Sequence, residues 1–301
     1  MNGQVREIER IADNAVIIHV DLPSEPSKWQ GWLHLTSDVH FDNVKCRRDV
    51  LKRHLEIADK REALWFDNGD WHCAMQGKYD KRSNLSDLRE EYKAADYLTR
   101  LRKYAADFIE PHADRLGIMG KGNHETSQLD HHGEDLTGGT VDILKDRVPN
   151  CRAVASAYTT YVTFRFYYRT QQMTVRLWMI HGYGGGGPVT KDLIQLNRQL
   201  AYMDNADIML SGHTHDSWMV AFTRMGFAKD GKPQRRIGYA IKCPTMKDDY
   251  NDGKGGWSIE RGHPPKPLGS YFVRFTYSAK DKRMHFKPIV LDEHDTPESY
   301  A

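Results

Sequence analysis

Short apolar runs along the chain alternate with polar clusters and charged, periodic stretches, and the runs predict the elements. Ala15 to Leu22 is apolar and β-branched and runs into Pro23-Ser24-Glu25-Pro26-Ser27. It predicts the first strand of a hairpin whose return is Gly31 to Thr36. From Asn43 to Arg61 the apolar residues Val50, Leu51, Leu55, Ile57 and Ala58 recur between charges, a helical period that leads into a strand at Ala63 to Phe66. Strand, helix, strand in that order gives a parallel pair by the usual crossover. From Ser86 to His112, Leu88, Tyr92, Ala95, Leu98, Leu101, Tyr104 and Phe108 form an amphipathic stripe, predicting a long helix that ends near Pro111.

Further on, Gly138 to Arg147 predicts a short helix, and Ala155 to Arg169 and Met173 to Ile180 predict two paired strands rich in Tyr, Thr, Val and Phe. Thr190 to Met203 reads as a helix with Leu193, Leu196 and Leu200 on one face, followed by a strand at Ile208 to Leu210. Ser217 to Phe227, Arg235 to Ile241, Ser270 to Tyr277 and Met284 to Leu291 read as strands of a second sheet. Asp248 to Leu268 is rich in Gly, Pro and charge and reads as a long loop, a kind of segment that is often functional. The expectation is an α/β chain forming one domain over residues 1–301, because no stretch reads as a linker. The segment 75–116, with its long helix, is expected to be a helical insertion.

Composition narrows this little. Lys plus Arg is 43 against 41 acidic residues, and a net +2 makes no case for a dedicated nucleic-acid or membrane binder. Cys46, Cys73, Cys151 and Cys243 have neither the density of a disulfide scaffold nor the paired spacing of a zinc knuckle, so reduced thiols and a cytoplasmic setting are expected. No run of about 18 apolar residues occurs and the N-terminus lacks an apolar leader core, so neither secretion nor a membrane association is expected.

The chemistry sits in five clusters, each closing an apolar run. They are Ser37-Asp38-Val39-His40, Asn68-Gly69-Asp70, Gly120-Lys121-Gly122-Asn123-His124-Glu125, His181-Gly182 and Ser211-Gly212-His213-Thr214-His215. Ligands collect outside the carboxyl ends of strands in open α/β sheets, so five such clusters can converge on one site. Asp38, His40, Asp70, Asn123, His181, His213 and His215 offer the carboxylate, imidazole and carboxamide groups that suit zinc, manganese or iron. Seven candidates exceed what one ion takes and are natural for two, which at roughly 3.5–4 Å apart share a carboxylate and a hydroxide and clamp both oxygens of a displacement at phosphorus.

Other residues have plainer readings. His34, His54 and His112 read as isolated surface or core histidines. Asp42 reads as the cap of the helix starting near Asn43, with catalysis as the rival, and Glu125 as a loop anchor, with substrate contact as the rival. Cys73 reads as a buried thiol, with metal tuning by its oxidation as the rival. His72 is balanced between supporting the site or touching substrate and being an ordinary loop residue. Gly184-Gly185-Gly186-Gly187-Pro188 either brings backbone amides to a phosphate or merely connects strand to helix, and it lacks the Gly-Lys-Ser/Thr of a P-loop. Arg47, Arg48 and Lys52, like Lys78, Lys81 and Arg82, read as solvated surface charge, with contact to a phosphate backbone as the rival.

The ordered set Asp-x-His, Gly-Asp, Gly-Asn-His-Glu, His-Gly and Gly-His-Thr-His, from Asp38 to His215, resembles the calcineurin-like metallophosphoesterase superfamily. The resemblance implies a four-layer α/β/β/α sandwich and two divalent ions, Mn, Fe, Zn or a mixture. It places Asp38, His40, Asp70 and His215 on one ion and Asp70, Asn123, His181 and His213 on the other, with Asp70 as the catalytic bridge. His124 is placed facing the leaving oxygen, as general acid or electrostatic stabiliser. Phosphoprotein phosphatases of the superfamily follow their Gly-Asp with an arginine-bearing motif, which Trp71-His72-Cys73 lacks. The expected substrate is therefore a phosphodiester, a nucleotide or nucleic acid, held at a rim that includes His72, Lys78, Tyr79 and Arg82. A phosphomonoesterase or protein phosphatase is the alternative within the class, and a metal-stabilised binding module without catalysis is the alternative outside it. Packing of the insertion on the domain's side or on a second subunit is the rival to the rim.

Overall fold

The computed structural model describes residues 4–75, 85–185, 187, 189–228, 230–250, 257–260 and 262–300. The chain is a mixed α/β structure built on two mixed sheets, with strands numbered β1 to β13 in chain order. One sheet has seven strands, in the order β1 (Val5–Ala12), β2 (Ala15–Asp21), β7 (Thr159–Tyr168), β8 (Gln171–Ile180), β9 (Ile208–Ser211), β11 (Pro233–Lys242) and β10 (Trp218–Phe227). The other has six, in the order β13 (Arg283–Asp292), β12 (Gly269–Ser278), β3 (Gln30–Thr36), β4 (Leu64–Asp67), β5 (Leu116–Met119) and β6 (Val154–Ala155).

The side-chain alternation of the strands decides which face meets which. Val162, Phe164 and Phe166 of β7 point one way and pack with Val16, Ile18 and Val20 of β2 and with Leu33, Leu35, Leu64, Phe66 and Phe275 of the six-stranded sheet. The two sheets therefore share one core. Beyond the other face of the six-stranded sheet, Trp65, Leu116 and Met119 are covered by α1 (Arg48–Lys60), α2 (Tyr97–Ile109) and α4 (Leu136–Arg147), through Leu51, Leu55, Leu101, Ile109, Val141 and Leu144. This double covering is why Leu64–Asp67 is buried at every position, as parallel strands with helices on one side and a core on the other must be. On the outer face of the seven-stranded sheet, Leu196 of α5 (Leu193–Tyr202) packs with Trp178, Met209 and Ala240.

Several expectations are corrected. Ala15 to Leu22 does not hairpin with Gly31 to Thr36. It pairs with β1 across a two-residue Asp13-Asn14 turn, while Gln30–Thr36 enters the other sheet between β12 and β4. The charges Arg6, Glu7, Glu9 and Arg10 hide β1 from a hydrophobicity reading, and the same charges suit an edge strand because they discourage pairing with another chain. The four C-terminal strands do not form one sheet. β11 pairs in parallel with β9, whereas β12 and β13 extend the six-stranded sheet beside β3.

The first helix starts at Arg48 rather than Asn43, because residues 41–47 form a loop whose backbone bonds to other segments: Val44 N–H donates to Asp87 O and Arg47 N–H to Met246 O. The long stripe from Ser86 is helical only from Tyr97, with Leu88 and Tyr92 buried in or beside short turns. α2 is the crossover between the parallel strands β4 and β5 and packs beside α4 on the six-stranded sheet. α3 (Asn123–His132) was not anticipated. The stretch 248–268 contains a short helix, α6 (Trp257–Glu260). No helix among the described residues is long and apolar enough to cross a membrane, and all four cysteines are buried and unpaired.

Candidate metal centre

All five clusters follow carboxyl ends of strands, after β3, β4, β5, β8 and β9, and these ends meet. The backbone that delivers the side chains is unusual. Asp38 (φ 53°), His40 (51°), Asp70 (53°), His213 (74°) and His215 (59°) all lie in the left-handed region, which disfavours residues with a Cβ. Such strain persists only where surrounding contacts enforce it, and it gathers at functional sites. The close approach of the loops adds a second constraint. A Cβ on Gly122 would sit 2.0 Å from Asp70 Oδ1, and one on Gly69 (φ 97°) 2.4 Å from the Gly122 nitrogen, so only glycine permits the two loops to touch.

Three overlapping groups of donors result, each with ligand atoms within 4.8 Å of one another: Asp38, His40 and His215; Asp70, His181 and His213; and His40, Asp70 and His124. His215 Nε2 lies 3.5 Å from Asp38 Oδ1 and 3.1 Å from His40 Nε2. His181 Nε2 is 3.0 Å from Asp70 Oδ2 and 3.9 Å from Asp38 Oδ1, so it touches both groups. His213 Nδ1 faces Asn123 Oδ1 at 2.7 Å. His124 Nε2 stands 3.7 Å from Asp70 Oδ2, with its ring edge-on to that of His40. All seven expected ligands and His124 are thus brought together.

A divalent cation fits this set. His181 Nε2 makes no aligned hydrogen bond, and two Nε2 atoms, of His40 and His215, converge where at most one hydrogen can lie between them. Buried donors that converge without satisfying one another are what a shared cation resolves. The second ring nitrogens are already oriented: His181 Nδ1 lies 3.0 Å from Asn68 O and His213 Nε2 3.1 Å from Gly184 O, contacts that fix ring direction.

The protonation pattern follows from burial and charge. Burial, with His215 and His124 nearby, holds His40 well below the usual histidine range, and burial takes His215 down to about 4. His181 goes the other way. Burial pulls it down, but the Asp70 and Asp38 carboxylates outweigh that and raise it to about 10. Asp70 is buried too, yet His181 and His124 hold its carboxyl well below the ordinary value.

The scaffold beneath is hydrogen-bonded throughout. Glu125 accepts the N–H groups of Asp70 (3.0 Å), His72 (2.8 Å) and Gly122 (2.8 Å), which makes it the expected loop anchor. Burial and the neighbouring Asp70 push its carboxyl up to about 8. Asp42 is no helix cap. It accepts from Cys73 N (2.5 Å), Ala74 N (3.1 Å) and the Tyr97 hydroxyl (2.7 Å), because the helix it was expected to cap begins six residues later. His72 is buried, 1% exposed, with its ring driven to about 4 by burial. Arg47 and Arg48 are half-buried, bonded to Asp49 and to Phe41 O respectively, and Lys52 is exposed. His34 and His54 share the Ser270 hydroxyl, and His112 pairs with Asp59. Lys78, Tyr79, Lys81 and Arg82 lie outside the described residues, as do Gly186 and Pro188 of the glycine run.

Three contributors were missed. Ser37 Oγ donates to Asp38 Oδ2 at 2.6 Å, and the Ser-Asp dipeptide was a visible signal. Tyr158 donates its hydroxyl to Gly182 O and sets its ring against His181, with nothing in its sequence context to mark it. The α3 helix was signalled by Glu125 three residues after Gly122 and by Gly133, whose φ of 69° ends it.

No family model matches the chain and no curated protein matches it. Among the solved structures that align with it are two that span most of its length. One is GAP50, described as the anchor in the inner membrane complex of Plasmodium, 10% identical with a TM-score of 0.43 over 89% of this chain and 86% of that one. The other is protein TM1076 of Thermotoga maritima, solved by NMR in solution, 11% identical with a TM-score of 0.30 over 87% and 99%. Likeness at those scores carries no argument about fold or activity.

Proposed function

We propose that the chain is a metal-dependent phosphoester hydrolase of the calcineurin-like metallophosphoesterase type, with two divalent ions and a phosphodiester substrate, a nucleotide or nucleic acid. The observation that carries the reading is the pair of three-donor groups, Asp38 with His40 and His215 and Asp70 with His181 and His213, set so close that His181 reaches both carboxylates. The finer reading of the architecture, a four-layer α/β/β/α sandwich, is supported by the shared core between the sheets and by helices beyond each outer face.

Two divalent ions held there would supply Lewis acidity and a water of lowered pKa at phosphorus, and the donor types suit manganese, iron or zinc. The chain's own residues do the rest. Asp70 has a donor oxygen within 4.8 Å of His181 and His213 on one side and of His40 on the other, so its carboxylate would serve both ions. His124, beside Asp70 and held by its own N–H to Asp70 Oδ1 at 3.0 Å, presents a ring to the leaving oxygen as proton donor. Glu125 fixes the spacing of the two loops that carry them.

Elemental analysis, together with assays on a nitrophenyl diester and the matching monoester, tests the reading. The expected result is two ions per chain, cleavage of the diester, and loss of cleavage on chelation with restoration by manganese. Preference for the monoester overturns the substrate class alone. Two bound ions without hydrolysis of either ester overturn the enzyme reading and leave a metal-stabilised binding module.

A further inference from the structure

On the His181 and His213 side of the centre, the seven-stranded sheet and α5 turn three tyrosines toward solvent. Tyr161, Tyr183 and Tyr202 are 46%, 38% and 59% exposed. Tyr183 is held at the centre through its neighbours: Tyr158 donates its hydroxyl to Gly182 O before it, and His213 Nε2 lies 3.1 Å from Gly184 O after it. Gly184 also carries the contact to α5. A Cβ there would sit 3.3 Å from Gln195 Nε2, and the Arg198 guanidinium donates to Gln195 Oε1 at 3.3 Å. Gln195, Arg198 and Tyr202 stand at i, i+3 and i+7, so they share one flank of the helix.

The far end of this path is built on the sheet. The Tyr202 ring meets buried Trp178 edge-on at 6.0 Å, the Trp178 indole N–H donates to Thr159 Oγ1 at 2.9 Å, and Tyr161 stands directly across the β7–β8 ladder from Trp178. Burial and the neighbouring phenols of Tyr183 and Tyr161 raise the Tyr202 phenol to about 12. The three rings and Arg198 thus run from the residue after Gly182 to the outer face of the sheet. Exposed tyrosine rings on fixed elements stack at low entropic cost, since only two χ angles need ordering. Every base has a π face, so such rings accept any sequence. The seven-residue step from Gln195 to Tyr202 advances about 10 Å along the helix, more than one base covers.

We propose that Tyr183, Tyr202 and Tyr161 stack the bases of a single-stranded nucleic acid whose scissile phosphodiester lies at the centre, and that Arg198 contacts a neighbouring phosphate. For the cleavage step this inference rests on the phosphoesterase reading. It narrows that reading from a phosphodiester to an unpaired strand, because a base stacked on a side chain has left the stack of a duplex.

The test is fluorescence anisotropy of the metal-loaded protein with a thymidine decamer on a cleavage-resistant phosphorothioate backbone and with an abasic decamer on the same backbone, metal content being measured on every variant. The wild type binds the thymidine decamer the tighter of the two. Tyr183→Ala and Tyr202→Ala each weaken it by about 5- to 150-fold, the usual worth of one stacked base, and leave the abasic decamer unchanged, while Tyr183→Phe and Tyr202→Phe keep the wild-type affinity. Arg198→Met weakens both decamers and lowers the slope of log affinity against log salt by about 0.7, the value of one phosphate contact on a single strand. Equal affinity of the wild type for the two decamers overturns the proposal, and so does wild-type affinity in both alanine variants or a thymidine mononucleotide that competes as well as the decamer. Should an alanine variant fold poorly or lose metal, the wild-type comparison decides by itself. Assay of the nitrophenyl diester in parallel separates the two readings. Base-dependent binding without hydrolysis removes the hydrolase and keeps the stacking surface, whereas hydrolysis with equal binding of the two decamers does the reverse.

Discussion

The two sheets contribute to the centre in different ways. The six-stranded sheet delivers Asp38, His40, Asp70 and Asn123 on loops braced among themselves: Glu125 holds three N–H groups, Asp42 three more donors, and Thr36 bonds both Asp67 (2.7 Å) and the Trp65 indole (2.9 Å). The seven-stranded sheet delivers His181, His213 and His215 on loops whose fixings run largely to the first sheet. His213 N–H donates to both Asp38 oxygens, the His181 ring bonds Asn68 O, and Asn68 Nδ2 donates to Ile180 O. One half of the centre is a frame and the other is hung on it. Damage to the frame should therefore propagate to both halves, and damage to the hung half should stay local.

The largest effect expected is from Asp70→Asn, which keeps the shape and the acceptor for His124 N–H but removes the charge that faces His181 and His213 on one side and His40 on the other. Both ions and all measurable turnover should be lost, whereas His213→Ala should lose one ion only. Elemental analysis of the two variants side by side checks this, and a single retained ion in Asp70→Asn would remove the bridge. Next is His124→Ala. With the ligands left in place it should keep its metal and slow turnover by about 10²–10⁴-fold, the usual range for general acid assistance. The loss should shrink for a nitrophenolate leaving group relative to an alkyl one. Equal losses on both leaving groups would reassign His124 to electrostatic stabilisation, and lost metal would make it a ligand in the group it shares with His40 and Asp70.

How much of this frame was readable depended on whether the deciding contacts are local. The clusters of candidate donors were legible because carboxylates and imidazoles stand close together at strand ends, and His213-Thr214-His215 states that in three letters. The inner strands were legible because alternation in Thr159–Tyr168 is imposed by a core on one face. β1 was not, because an edge strand replaces that pattern with charge. Sheet membership of β10 and β11 rests on the parallel pairing of Tyr239 with Ile208, a contact no local pattern encodes.

Glu125→Gln probes the frame without touching a ligand. The amide keeps one acceptor oxygen for three donors and turns an NH₂ toward at least one N–H, leaving a buried donor unsatisfied at about 1–3 kcal/mol. Thermal melting should show a drop of that size, accompanied by weaker retention of both ions, because the Asp70 and Gly122 N–H groups share one oxygen and His72 N–H takes the other, so the amide cannot serve all three donors that join the two loops. A variant that melts like the wild type would mean the frame does not depend on this carboxylate.

The smallest effect expected is from Tyr158→Phe, the matching change in the hung half. Tyr158 donates its hydroxyl to Gly182 O and packs its ring edge-on to His181 at 5.4 Å. Phenylalanine keeps the ring contact and removes one hydrogen bond to a carbonyl, and the half-buried position lets water take the acceptor, so the loss should be about 0.5–1.5 kcal/mol. In a chain of this length that is a fall in Tm of a few degrees at most, about 2–4 °C per kcal/mol. Gly182 lies against His213, with room for a Cβ only 2.9 Å from the His213 Cβ, so relaxation there should loosen the ion held by Asp70, His181 and His213 while sparing the one held by Asp38, His40 and His215. Metal titrations of Tyr158→Phe and Glu125→Gln in parallel make the decisive pair. If Tyr158→Phe weakens both ions, or destabilises the fold as much as Glu125→Gln, the two halves are equal partners and the asymmetry between frame and hung half is wrong.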